Sequence, residues 1–132
     1  MSTENETAHV LVVDDESAIR YSITKTLQRV GYQVDSAASG EEALEMLARQ
    51  TYDVILTDIR MPGMDGLQFL SKVQEKWPNL PVVLMTAYGS LETTMEAISL
   101  GAWDYISKPF SPADCRAIVK KVLEVRELRE RR

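Results

Sequence analysis

One pattern constrains this chain more than any other. Five short β-branched or apolar runs, Val10–Val13, Gln33–Ala37, Val54–Thr57, Val82–Met85 and Trp103–Ile106, alternate with segments of helical periodicity. Strands that alternate one by one with helices build a parallel sheet. A parallel neighbour is reached only by a crossover, and strand twist makes that crossover right-handed. Runs one, three and four are nearly continuous in apolar residues, as central strands covered on both faces must be, and the mixed second run suits an edge. The expected fold is α/β, a doubly wound five-stranded parallel sheet in the order 2-1-3-4-5 with five helices. Ligands of such sheets sit beyond the carboxyl ends of the strands, at the switch point between strands one and three.

The intervening helices read from their stripes and punctuation. Ile19, Ile23, Leu27 and Val30 recur at helical spacing, and Gly31 stops them. Ser39 and Glu42 form a capping-box pattern ahead of Ala43, Leu44 and Leu47. Leu67, Leu70, Val73 and Trp77 make a third stripe closed by Pro78. Ser90 is the expected cap of a fourth helix with the poorest stripe, Ala97 and Ile98, before Gly101. Ser111 caps the fifth, with Pro112 at its first position and Cys115, Ile118, Val119, Val122 and Leu123 on its inner face. Beyond it, Val125 and Leu128 are expected to extend that stripe among Glu124, Arg126, Glu127, Arg129, Glu130 and Arg131, with Glu127 and Arg131 paired four apart. This ending reads either as a solvated helix end or as the start of a linker helix that pairs with a second copy. Trp77 and Trp103 are expected to cover the core edge, and His9 to be solvated near the terminus.

The 132 residues suffice for one domain. The expected division is a disordered stretch over 1–8, a domain over 9–123 and a helical extension over 124–132. A net charge of -5 argues against nucleic-acid binding by this domain itself. The polar, acidic start lacks the features of a secretory signal, and no apolar run approaches the length of a membrane span. The single cysteine, Cys115, excludes an internal disulfide, so a cytoplasmic location is expected.

The chemistry gathers at the strand ends. Asp14 and Asp15 follow run one and Asp58 follows run three, the two strands that flank the switch point. Three converging carboxylates repel one another unless a cation lies between them, and an oxygen-rich site with room for water suits Mg²⁺. Thr86 ends run four with a hydroxyl able to donate to an anion, and Ala87 leaves space for one. Lys108 ends run five, where its ammonium can pair with Asp58 or a phosphoryl oxygen; Pro109 follows it, with trans as the default expectation for their bond. A carboxylate nucleophile, a divalent cation, a hydroxyl and an ammonium suit phosphoryl transfer, where positioning and charge neutralisation do most of the work.

At these residues the sequence closely resembles the response-regulator receiver family of two-component signalling. The pieces that carry the resemblance are Leu11-Val12-Val13-Asp14-Asp15-Glu16, Thr57-Asp58-Ile59-Arg60-Met61-Pro62-Gly63-Met64-Asp65-Gly66, Met85-Thr86-Ala87 and Lys108-Pro109-Phe110. They stand in order and span nearly all of the chain from Val10 to Leu123. The resemblance implies a flavodoxin-like receiver fold with Asp58 phosphorylated from a phosphohistidine on a sensor histidine kinase. It implies Mg²⁺ held by Asp14, Asp15, Asp58 and the backbone carbonyl of Arg60. Lys108 would be the phosphoryl clamp, Thr86 and Tyr105 the switch pair, and the backbone of Ile59 and Ala87 would contact the phosphoryl group. Met85 through Phe110 looks most like nitrogen-regulation-type activators, which carry an ATPase domain and a helix-turn-helix domain after the receiver. A transcriptional output is thereby implied, with a stand-alone receiver acting through protein contacts as the alternative. From the weak fourth-helix stripe and the C-terminal ending, a homodimer is expected through the fourth helix, fifth strand and fifth helix, or through the C-terminal helix. Two residues depart from the pattern: Cys115, where a larger aliphatic is expected, and Arg60, a long basic side chain at the pocket rim.

Three other readings fit the same alternation. A flavin or nucleotide binder would need a Gly- or Ser/Thr-rich phosphate loop after strand one, where this chain has Asp14-Asp15-Glu16. An aspartyl phosphatase would carry its nucleophile on strand one with an acid two residues on. A receiver kept only as a scaffold would lack some of the pocket residues, and all are present.

Overall fold

The computed structural model describes residues 8–87 and 91–130, and the side chains of 91–94 lie outside that description. Its strands are β1 (His9–Val13), β2 (Gln33–Ala37), β3 (Val54–Asp58), β4 (Val82–Ala87) and β5 (Asp104–Lys108). They form one parallel sheet in the order β2-β1-β3-β4-β5. The helices between them are α1 (Ser17–Gln28), α2 (Gly40–Arg49), α3 (Gly66–Lys76), α4 (Leu91–Ser99) and α5 (Pro112–Glu130).

Successive strand residues point to opposite faces, so the continuous apolar runs fill two core layers at once. Leu11, Val13, Ile55 and Leu84 meet Ala43 and Leu47 of α2, Phe69, Leu70 and Val73 of α3, and Ala97 of α4. Val10, Val12, Val54, Leu56, Val83 and Met85 meet Ile23 and Leu27 of α1 and Cys115, Val119 and Val122 of α5. Trp77 and Trp103 are half-buried at the margins of these layers, where they were expected. The register pairs Val13 with Thr57, Asp58 with Met85 and Ala87 with Lys108, which brings the carboxyl ends of four strands to one edge. β4 and β5 run two residues past their apolar runs, so Thr86 and Lys108 stand on the ladder itself rather than in the loops after it.

Several local expectations need correction. Val30 is exposed, because α1 ends at Gln28 and Gly31 turns the chain away at a φ of 98°. Ile98 also faces solvent, so among the described α4 side chains Ala97 is the one placed in the core. Leu128 is 62% exposed. Six residues beyond Val122 it stands about 240° round the helix, off the inner face. The residue that continues that face is Arg126, whose Nη1 reaches the Asp53 carbonyl at 2.9 Å and Asp53 Oδ1 at 3.2 Å. Arg126 also pairs with Glu130 at 3.0 Å, while Arg131 and the Ser90 cap lie outside the described residues. The Lys108–Pro109 bond is cis.

His9 is not solvated. Its Nε2 lies 2.9 Å from Asp35 Oδ2, and its ring stands 4.4 Å, centroid to centroid, from that of Tyr52. Asp35 Oδ2 also accepts the Tyr52 hydroxyl at 2.7 Å. Parallel pairing of β1 with β2 brings Asp35 beside His9, although 26 positions separate them in sequence. At the caps, Ser39 Oγ accepts the Glu42 N–H at 3.1 Å, but the Glu42 carboxylate reaches the Ala38 N–H rather than that of Ser39. The reciprocal capping box belongs instead to Asp65 and Gln68, at the start of α3. Among the described residues no helix is long and apolar enough to cross a membrane.

Candidate functional site

The site forms where β1, β3 and β5 end. Asp14, the first residue beyond β1, is fully buried and every polar group it owns is engaged. Its N–H donates to the Ala37 carbonyl at 3.2 Å. Oδ1 accepts the Glu16 N–H at 2.9 Å, Oδ2 accepts Lys108 Nζ at 2.9 Å, and the carbonyl accepts Arg20 Nη1 at 2.7 Å. Asp58, the last residue of β3, is 8% exposed. Its Oδ1 accepts the Ile59 N–H at 2.9 Å and lies 3.4 Å from Lys108 Nζ. Asp15 is exposed, yet it offers a carboxylate oxygen to a group in which one oxygen each from Asp14, Asp15 and Asp58 lies within 4.8 Å of the others.

The electrostatics follow from that crowding. Burial pushes the Asp58 carboxyl above its usual range; the Lys108 charge opposes this and the Asp14 charge adds to it. Burial alone would lower the Lys108 ammonium. The hydrogen bond to Asp14 and the charges of Asp58 and Asp14 outweigh burial, so its pKa rises and it stays charged. Three carboxylates against one ammonium leave a formal charge of about -2, carried on hard oxygen donors. Such a donor set fits Mg²⁺, which favours carboxylates with room for water.

Lys108 was expected to pair with Asp58, but its shorter contact is to Asp14. Asp14 has no solvent to turn to, so the ammonium satisfies it first. Thr86 is buried at the end of β4 and Ala87 is exposed beside it. Tyr105 on β5 is 42% exposed. Tyr105 pairs with Leu84 and Thr86 with Ser107, so Tyr105 and Thr86 share a sheet face as diagonal neighbours. Arg60 is exposed two residues past Asp58.

Two contributors have structural roles that the sequence pattern does not show. Arg20 fell on the outer side of the α1 pattern, and nothing in its spacing showed that it turns back to Asp14. Gly66 was visible only as part of a motif. A Cβ there would stand 2.2 Å from the Asp58 carbonyl oxygen and 2.6 Å from Ile59 Cα, so the loop after β3 closes with α3 directly against the Asp58 peptide. The Gly66 N–H seals that closure on the Ile59 carbonyl at 2.7 Å.

The family model described as the response regulator receiver domain matches residues 10–120. The chain belongs to that family. Among curated proteins, this receiver domain is 43% identical over 114 residues to the DNA-binding transcriptional regulator NtrC of Escherichia coli (strain K12), a match covering 86% of this chain and 24% of that protein. It is 37% identical over 117 residues to sporulation initiation phosphotransferase F of Bacillus subtilis (strain 168), covering 89% and 94% of the two. Among solved structures, NtrX from Brucella abortus superposes with a TM-score of 0.91 at 32% identity, over 95% of this chain and 29% of that one. A CheY-like receiver domain protein from Methanospirillum hungatei JF-1 gives 0.89 at 32% identity, over 93% and 98%. The receiver domain is thus that of a two-component response regulator, of the NtrC type, and it spans about a quarter of the length of the NtrC relative.

Proposed function

We propose that this receiver domain takes a phosphoryl group onto Asp58 from a phosphohistidine of a sensor histidine kinase, in a Mg²⁺-dependent reaction. The observation that carries this reading is the meeting of Asp58 with Asp14, Asp15 and Lys108 at the carboxyl edge of the sheet. Asp14, Asp15, Asp58 and the Arg60 carbonyl would hold the ion, which supplies charge neutralisation at the phosphoryl oxygens. Asp58 Oδ1 is already tied to the Ile59 N–H and faces Lys108, which leaves Oδ2 to make the bond to phosphorus. As that bond forms, the phosphorus–nitrogen bond of the donor breaks and its electron pair stays on the imidazole. Lys108 then turns from Asp14 to a phosphoryl oxygen, with the Thr86 hydroxyl and the backbone N–H groups of Ile59 and Ala87 as further donors.

The domain acts as a phosphoacceptor that assists its own phosphorylation and dephosphorylation rather than turning over a substrate. Residues 9–123 form this unit and 124–132 its extension, which is helical through Glu130. Its place is the cytoplasm, and its output is transcriptional, as the likeness to NtrC supports. Its activated form pairs with a second copy through α4, β5 and α5 or through the end of α5, without itself touching nucleic acid. The coverage of the phosphotransferase F relative along 94% of its length supports a second reading, a stand-alone receiver that acts through protein contacts.

Intact mass before and after incubation with acetyl phosphate and Mg²⁺ tests the acceptor. The wild type should gain one phosphoryl group, and Asp58→Asn or a chelator should abolish the gain. An equal gain in Asp58→Asn would overturn the assignment.

A further inference from the structure

We propose that Arg20 is a positioning residue for the metal-binding turn, an inference that rests on the reading that Asp14, Asp15 and Asp58 hold Mg²⁺. The turn from β1 into α1 lacks a side-chain cap, because Glu16 stands at the N-cap and bonds no helix N–H with its side chain. It is tied from both sides instead. Asp14 Oδ1 takes the Glu16 N–H at 2.9 Å. One turn into α1, Arg20 sends Nη1 back 2.7 Å to the Asp14 carbonyl, while its own N–H bonds the Glu16 carbonyl at 3.1 Å. Asp15 sits between these anchors. It is exposed, and its side chain makes no hydrogen bond or ion pair with a described residue. The place of its carboxylate relative to Asp14 and Asp58 is therefore set by the backbone, and Arg20 is one of the anchors that hold that backbone.

The sign of the effect separates this role from simple electrostatics. A guanidinium beside an acidic cluster repels a dication, so if charge were its contribution, neutralising Arg20 would tighten Mg²⁺ binding. If Arg20 positions the turn, removing it loosens Asp15 and weakens binding. Partners that orient metal ligands typically contribute about 10- to 100-fold in metal affinity.

The test is a Mg²⁺ titration of the full chain followed by the amide shifts of Asp15 and Glu16, with a thermal melt in chelator as the measure of fold. Arg20→Met keeps the aliphatic stem and removes the donors. It should bind Mg²⁺ roughly ten-fold more weakly while its melt in chelator stays near that of the wild type. Arg20→Lys, which keeps a donor and the charge, should recover most of the affinity. Equal or tighter binding by Arg20→Met overturns the proposal. Should Arg20→Met not fold, Arg20→Gln, whose amide falls short of the carbonyl, carries the same comparison with the same two outcomes. A wild type indifferent to Mg²⁺ would sink the metal reading and this inference together. A responsive wild type matched by the variant would sink this inference alone.

Discussion

Two glycines show how single residues set the site. At Gly66 a Cβ would strike backbone, the carbonyl oxygen of Asp58 and Cα of Ile59. At Gly40 it would meet Met64 Sδ at 3.0 Å, the far end of a flexible side chain that can move aside. Gly66→Ala should therefore lose about 1–3 kcal/mol in urea unfolding, since overpacking against backbone has no cheap relief. It should also slow the mass gain at Asp58 by displacing the acceptor peptide. Gly40→Ala should be much closer to neutral in the same assays. Tyr52 also carries a definite expectation. Burial, the hydrogen bond to Asp35 and the Asp35 charge all push its hydroxyl above the usual tyrosine range. A group raised in this way contributes stability that is present below its unfolded value and lost as pH rises through the folded one. The unfolded chain ionises first on the alkaline side, so the wild type should lose stability there. Tyr52→Phe should flatten that limb, at a cost of about 1 kcal/mol at neutral pH for the lost bond. Equal alkaline slopes in the two melts would refute this account. The sequence showed Asp14, Asp15, Asp58, Thr86 and Lys108 because each punctuates an apolar run. It concealed Arg20, His9 and Asp35, because their partners come from tertiary pairing or from a side chain that folds back on its own helix.

At the scale of elements, α5 differs from the other helices. It runs on to Glu130 without a break, and its last turns are held by polar contacts rather than by an apolar stripe. Arg126 clasps Asp53 just before β3, and the Arg129 guanidinium lies 4.1 Å from the centroid of the Trp103 ring. Asp53 in turn accepts the His9 N–H through Oδ2 at 2.8 Å, so one carboxylate links β1, the approach to β3 and α5. Arg126→Ala should cost about 1–2 kcal/mol and speed hydrogen exchange in the final two turns of α5. The mass gain at Asp58, at the far end of the strands, should be unchanged. Protection that persists in those turns would show that the helix end is held by something other than this clasp. The expected stripe through Leu128 failed because helical spacing alone does not say where a packed face ends. Arg126 occupies the inner position there, and the apolar side chain turns outward.

For the whole molecule, the proposed phosphorylation of Asp58 would have to reach a distant surface. Tyr105 lies on the sheet face that Thr86 shares, and α4 carries exposed Met95 and Ile98 on the same side of the domain. Among the described α4 side chains Ala97 alone is buried, and weakly packed elements are natural places for movement. Phosphoryl oxygens on Asp58 should draw the Thr86 hydroxyl inward and give Tyr105 room to turn from its half-exposed position. A coupling of about 1–3 kcal/mol would shift the equilibrium roughly 5- to 150-fold. Beryllofluoride with Mg²⁺ should move the Tyr105 and α4 amide signals and change the sedimentation of the wild type, and Thr86→Ala should blunt both. A wild type in which neither observable changes would remove the switch while leaving the phosphorylation chemistry standing.

The sequence alone determined the alternation, the sheet order and the edge at which the acids meet, because each follows from periodicity, handedness and the residues that end apolar runs. Local punctuation was legible in the same way at Gly31 and Ser111, whose partners are near neighbours in the chain. Tertiary structure decided what depends on groups far apart in sequence. It chose Asp14 over Asp58 as the nearer partner of Lys108, 94 positions away, because the buried carboxylate had no water to fall back on. It likewise set His9 against Asp35 and Arg126 against Asp53, through register and packing that no local pattern encodes.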